Sequence, residues 1–144
     1  MKVYNRRANY DYQLFERIEA GIVLTGAEVK SVKENKIKME ESFVRLTDDG
    51  AYLVNAHIPP YKYAGDQDYD SKKSRRLLLH KKEILSLAKK MEAKNLTLVP
   101  VSCYTKKGRI KLEIALAKGK KRWDKRETIR RRDLQREVKR ELKK

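Results

Sequence analysis

Leu96-Thr97-Leu98-Val99-Pro100-Val101-Ser102-Cys103-Tyr104, then Lys106-Lys107-Gly108, then Ile110-Lys111-Leu112-Glu113-Ile114-Ala115-Leu116, carries the clearest architectural signal in this chain. In the return run Ile110, Leu112, Ile114 and Leu116 alternate with Lys111, Glu113, Ala115 and Ala117. A period of two is that of a strand with one face buried and one wet. Lys-Lys-Gly between two such runs reads as a hairpin turn. Phe43 to Leu46 and Tyr52 to Val54 repeat the arrangement around Thr47-Asp48-Asp49-Gly50, a second hairpin signal.

Working outward, Lys81 to Lys94 is the strongest helix: Ile84, Leu87, Ala88 and Met91 fall on one face and lysines cover the other. Asn95 can close it in the left-handed conformation. Ala27 to Asn35 has helical composition with Asn35 as a stop. Tyr10 to Phe15 is read as a first strand. Glu19-Ala20-Gly21 then leads into Ile22-Val23-Leu24, a second strand closed by Gly26. Pro59-Pro60 breaks the chain, and Lys62 to Ser74 is polar enough for a loop. Five or six short strands with two or three helices predict a mainly β fold. The expected form is a small OB-like closed barrel with helices plugging its ends, since closure removes exposed edges. A helix-decorated open sheet is the alternative.

Charge divides the chain. Of 144 residues 37 are Lys or Arg and 20 are Asp or Glu, a net of +17. From Lys118 onward the sequence is KGKKRWDKRETIRRRDLQREVKRELKK, with 14 basic and 5 acidic residues and only a few apolar ones. That segment therefore carries +9, and residues 1–117 carry +8. The expected organisation is a folded body over 1–117 and a basic tail over 118–144. Leu134, Val138 and Leu142 recur every four residues in the tail. One thin apolar stripe does not offset the entropy of ordering a segment so charged. The tail is expected to be disordered when free and helical on a polyanion; a helix docked permanently on the body is the competing expectation.

The excess charge points to nucleic acid. No window approaches the roughly 18 apolar residues of a membrane span, and Arg6-Arg7 is followed by no apolar stretch of a signal peptide. A lone Cys103 excludes an internal disulfide. A cytoplasmic setting, no membrane and a monomeric state are expected.

Catalytic chemistry finds little support. The six glycines are scattered singly, so there is no phosphate-cradling loop. His57, His80 and Cys103 lack metal-ligand spacing. They read instead as a loop-end residue, a helix-start residue and a small buried strand hydrophobe. Asp66, Asp68 and Asp70 alternate, but the glycine and glutamate of a calcium loop are out of place. No enzyme activity, cofactor or metal is expected. Binding chemistry is richer: eight tyrosines offer rings on which bases stack, and Lys72-Lys73-Ser74-Arg75-Arg76 offers cations for phosphates.

The strings Asn5-Arg6-Arg7-Ala8 with Tyr12, Glu19-Ala20-Gly21-Ile22 and Gly26-Ala27-Glu28-Val29-Lys30-Ser31 resemble the SsrA-binding protein family, also called small protein B. So do Arg75-Arg76-Leu77-Leu78-Leu79-His80-Lys81-Lys82-Glu83-Ile84, and Ala117-Lys118-Gly119-Lys120-Lys121 with Asp124-Lys125-Arg126. The resemblance runs from about Asn5 to the end, with its motifs in family order. It implies an OB-type barrel that binds the tRNA-like end of transfer-messenger RNA (tmRNA) and enters stalled ribosomes with it for trans-translation. By the resemblance, tmRNA contacts fall on Glu19, Leu78 and Lys111, with Arg75, Arg76, Asn5 and Arg6 alongside; a core role for Leu78 stays open. The tail implied to act in the decoding centre and mRNA channel includes Gly119, Lys120, Trp123, Asp124, Lys125 and Arg126. Trp123 departs from the smaller aromatic or histidine common there, and Asp70-Ser71 from the usual Asp-Pro. A structural or assembly ribosomal RNA-binding protein is the alternative.

Overall fold

A computed structural model describes residues 1–65 and 68–120 of the chain. Trp123 to Arg126, the Leu134–Val138–Leu142 stripe and Asp66 lie outside the described residues.

The chain runs β1 (Lys2–Tyr4), α1 (Arg6–Asp11), β2 (Tyr12–Ile22), α2 (Gly26–Lys33), β3 (Phe43–Thr47), β4 (Gly50–Val54), β5 (Arg75–Leu78), α3 (Lys81–Lys94), β6 (Thr97–Lys106) and β7 (Arg109–Gly119). All strand pairings are antiparallel, and the hydrogen-bonded order is β1-β6-β3-β4-β5-β2-β7 with β7 returning to β6. Six strands thus close a ring, one more than the OB fold's five. β6 makes this possible: it pairs with β7 along its length, with β3 near its start and with β1 near its end. Pro100, which has no N–H to give, sits where the β6–β7 register shifts.

Both hairpins form where expected. Lys107 and Gly108 take positive φ in the tight turn between β6 and β7, the backbone twist that two-residue hairpins favour. Ile110, Leu112, Ile114 and Leu116 all point inward and are buried. Around them pack Leu53 from β4, Val44 from β3, Leu98 from β6 and Val32 from α2. Ala115 and Ala117 are also buried, at the end of the barrel where α1 packs on the neighbouring β2 and β6. α3 spans the expected residues, buries Leu87 with Ile84 and Met91 against the core, and ends on Asn95 at φ 52°. No helix among the described residues is long and apolar enough to cross a membrane.

Three readings need correction. In place of separate strands at Tyr10–Phe15 and Ile22–Leu24 there is one long strand, β2, over Tyr12–Ile22; Tyr10 and Asp11 belong to α1, and Val23 and Leu24 follow the strand. A bulge between Leu14 and Arg17 switches the alternation mid-strand, which hid its continuity. Glu19-Ala20-Gly21 is accordingly strand rather than turn. Ser74 ends the loop as expected, but the cations of the run Lys72–Arg76, expected to be offered to phosphates, do not all turn outward. β5 sends Arg75 and Leu77 inward and Arg76 and Leu78 outward, as a period of two requires. Finally, β7 continues through Lys118 to Gly119, two residues past Ala117.

Candidate nucleic-acid interface

Register alone assembles a row across the outside of the barrel. Leu78 on β5 stands opposite Gly21 on β2, Gly21 opposite Lys111 on β7, Lys111 opposite Tyr104 on β6, and Tyr104 opposite Lys2 on β1. Glu19 lies two residues from Gly21, on the same face. Three positions separated by up to 92 residues, Glu19, Leu78 and Lys111, are thereby gathered on one outer surface. Leu78 is 58% exposed, so its side chain is not part of the core.

Gly21 makes the approach of Leu78 possible. A Cβ on Gly21 would stand 3.2 Å from both Cβ and Cδ1 of Leu78, tighter than ordinary van der Waals contact. Leu78 instead lies over bare backbone. With Leu24, Val29, Gly108 and Ile110 it walls a groove of about 280 Å³ whose lining includes Lys111 and Arg109. A leucine held half out of the surface, over a groove edged by cations, is an apolar wedge for a ring with phosphates at either side.

Glu19 is the acidic member of this face. It accepts the hydroxyl hydrogen of Tyr104, and the Lys106 ammonium lies 3.4 Å from its Oε2. The Tyr104 hydroxyl, then Lys106 and Lys111, hold its carboxyl below the ordinary carboxylate value against the opposing effect of burial. Burial and the same carboxylate push the Tyr104 phenol well above its ordinary range. Glu19 is therefore an ionised acceptor at neutral pH, ringed by donors. Lys2 lies 5.0 Å from the centre of the Tyr4 ring and 5.7 Å from that of Tyr104, a cation–aromatic cluster at the edge of the row. Tyr4 is exposed.

Two expected contact residues are placed differently. Arg75 is 2% exposed. Its Nε donates to Glu28 Oε2 at 2.9 Å, Nη1 to the Ala56 carbonyl at 2.7 Å, and Nη2 to Tyr69 and the Ser71 carbonyl. Every side of the guanidinium is committed, so it ties the loop to the barrel and has no reach to a phosphate. Asn5 is also buried; its Nδ2 donates to the carbonyls of Pro100 at 2.8 Å and Met39 at 3.2 Å. It pins the β1–α1 junction to β6. The basic run offered Arg75 as a contact and the resemblance offered Asn5, and neither carries information about which way a side chain turns. Arg76 does face outward, two residues from Leu78, with Nη2 3.2 Å from the Asp49 carbonyl. Arg6 is exposed in the first turn of α1.

At the other end of the barrel Lys120 donates its backbone N–H to the Asp11 carbonyl and its ammonium to the Asn9 carbonyl, both within 3 Å. The chain leaves the body anchored to the end of α1, after Gly119 has closed the β2–β7 ladder opposite Tyr12. Sequence reasoning missed Gly21 and Lys106 as parts of the outer face. A glycine inside an otherwise apolar strand signals a close approach, and that signal was present at Gly21.

Residues 2–144 match the profile of a family described as SmpB protein. The chain is 48% identical to the SsrA-binding protein of Sulfurihydrogenibium sp. over 139 residues, covering 96% of this chain and 91% of that one. It is 46% identical to the SsrA-binding protein of Persephonella marina, with the same coverage. The corresponding protein of Trichodesmium erythraeum is 48% identical over 140 residues, covering 96% and 90%. Among solved structures, a chain described under "tmRNA-SmpB: a journey to the center of the bacterial ribosome" superposes with a TM-score of 0.71 at 43% identity. The match covers 90% of this chain and 95% of that one.

Proposed function

The chain belongs to the SmpB protein family, and on that premise we propose that it is the adaptor that binds tmRNA and accompanies it into stalled ribosomes for trans-translation. The observation that carries this reading is the outer row Leu78–Gly21–Lys111–Tyr104 with Glu19 beside it. Folded RNA is recognised mainly through shape, stacking on exposed rings, and contacts to phosphate and ribose. The row supplies all three: Leu78 and Tyr104 present apolar and aromatic surface, Lys111, Lys106 and Arg109 supply cations, and Glu19 accepts from a base or a ribose hydroxyl. Arg76 and Arg6 extend the cationic surface, while Arg75 and Asn5 act behind it by fixing the elements that hold it.

The second half of the proposal assigns residues 118–144 to the ribosome, with Gly119 and Lys120 setting its departure and Trp123, Asp124, Lys125 and Arg126 meeting ribosomal RNA in the decoding centre. Net charge of +9 in that segment, separated from +8 on the body, supports two nucleic-acid partners. The protein works by binding, in the cytoplasm, with no turnover of its own.

Gel-shift titration of tmRNA tests the barrel face. Lys111→Glu and Leu78→Asp each lower affinity at least tenfold while thermal unfolding stays within a few degrees of wild type, because both side chains lie outside the core. Unchanged affinity in both variants refutes the assignment.

A further inference from the structure

A second concave surface lies across α2 from the barrel-face groove. Val29 of α2 walls the groove beside Leu78, while Ala27 and Glu28 of the same helix wall a separate cavity of roughly 550 Å³ with Pro59, Pro60, Tyr61 and Tyr69. Cavities of several hundred Å³ lined mostly by apolar groups are the usual form of a ligand site, and this one is walled by rings and prolines.

Lys62 and Lys73 are among its walls, and three lysines lie over tyrosine rings in and beside it. Lys30 stands 5.4 Å from the centre of the Tyr61 ring, Lys62 5.6 Å from Tyr63, and Lys73 5.6 Å from Tyr69. An ammonium is held over a ring by attraction to its electron-rich face, and a ligand that stacks there displaces it. Tyr61 and Tyr63 meet edge to face at 5.4 Å, and Tyr63 is 76% exposed. The floor is fixed in advance. Tyr69 donates its hydroxyl to the Ile58 carbonyl at 2.8 Å, and Ser31 donates to the Pro59 carbonyl at 2.9 Å. Glu28, the acidic wall, is spent internally: it receives Arg75 at 2.9 Å and the Thr25 N–H at 3.0 Å, and the Lys73 ammonium lies 3.7 Å from its Oε1. The cavity therefore presents aromatic and proline faces beside Lys62 and Lys73, and Glu28, its one acidic wall among the described residues, is already neutralised.

We propose that this cavity is a binding site for an unstacked nucleotide of single-stranded RNA. The base stacks on Tyr61, and its flanking phosphates draw Lys30 and Lys62 off the rings, while Lys73 stays paired with Glu28. Stacking with backbone cations is the general means by which proteins hold single strands. The site rests on the RNA-binding reading above but is separate from the barrel-face row. One helix, about 10 Å wide, divides the two, so a single RNA can reach both.

The test uses the full chain and an unstructured RNA octamer carrying 4-thiouridine, with cross-linked peptides located by mass spectrometry and affinity read by fluorescence anisotropy. Cross-links at Tyr61 or Tyr63, with affinity lowered about tenfold by Tyr61→Ala and restored by Tyr61→Trp, support the site. The exposed variants Lys30→Glu and Lys62→Glu weaken octamer binding in the same direction without touching the floor. Cross-links confined to the barrel face or to residues beyond 120, with Tyr61→Ala binding as wild type, overturn it. So does displacement of the octamer from the cavity by a proline-rich acidic peptide that binds more tightly. Lys111→Glu distinguishes the two readings: it lowers tmRNA affinity and leaves the Tyr61 cross-link in place. A lost tmRNA interaction with an intact cross-link thus speaks for both, and an unchanged tmRNA affinity counts against the barrel face alone.

Discussion

Gly21 and Leu78 meet where two strands cross the outer face of the barrel, and the missing side chain of one lets the other lie flat. Adding a methyl at Gly21 pushes Leu78 by a few tenths of an ångström, since 3.2 Å is too close for a Cβ and the leucine is free to move outward. Gly21→Ala is therefore expected to fold with a stability loss of about 1 kcal/mol or less, near the centre of the distribution for point substitutions, while tmRNA affinity falls several-fold. A gel shift beside a thermal melt separates the two effects. Leu78 is the residue for which sequence left two meanings open, core or contact. Alternation along Arg75–Leu78 settles its direction only once Leu77 is known to face inward, and three leucines in a row conceal that.

Glu28 and Arg75 pose the opposite problem: two charges side by side where solvent does not reach. Their side chains are 2% and 1% exposed. Breaking a buried pair by removing one partner costs about 3–5 kcal/mol because the other charge is left unpaired. Glu28→Gln is expected to lose stability in that range. Burial by itself raises the carboxyl, but the Thr25 N–H and the Arg75 guanidinium outweigh it and hold the group below its ordinary value of 4.5. A carboxylate with a depressed folded value contributes fully above its unfolded value and loses that contribution as pH falls through the folded one. Urea unfolding at several pH values is thus expected to show a constant gap between wild type and Glu28→Gln above about pH 4.5, and a shrinking gap below it. A gap that widens on acidification contradicts the pairing.

At the scale of elements, caps rather than periodicity set the boundaries. Thr25 and Glu28 satisfy each other's backbone N–H at the start of α2, a reciprocal cap encoded as Thr-x-x-Glu. Asn95 closes α3 in the left-handed region at φ 52°, where glycine is easy and β-branched residues are strained. Asn95→Gly is expected to leave stability nearly unchanged and Asn95→Val to cost about 1–3 kcal/mol, read by chemical denaturation. Equal effects from the two would mean that the cap conformation does not matter. α3 and the β6–β7 hairpin were legible because one strong period runs through each. β2 was not, because the Leu14–Arg17 bulge resets its alternation, and a pattern read residue by residue then breaks it in two. Closure of the ring was legible only as an expectation. It depends on β6 carrying three partners, and a strand's sequence shows its faces but not how many neighbours its edges meet.

Taken whole, the described residues form a closed, cationic barrel, and the sequence after Lys120 is strongly basic. Lys120 holds the exit to the α1 carbonyls, so a cut that spares the barrel belongs after Lys120 rather than after Ala117, where it would remove part of the β2–β7 ladder. Each phosphate neutralised by a lysine or arginine releases counterions, and affinity then falls steeply with salt. The uneven division of +17 into +8 and +9 was legible in the sequence; the juxtaposition of Glu19, Leu78 and Lys111 on one face came only from the resemblance, because the row is assembled by register between strands far apart in sequence.

The division of labour between barrel and extension is tested most directly by one paired measurement on a chain ending at Lys120: tmRNA affinity by gel shift, and tagging of nascent chains on stalled ribosomes. The expected result is tmRNA affinity within a few-fold of the full chain, with tagging abolished. Affinity and tagging falling together, or tagging surviving the cut, would contradict it.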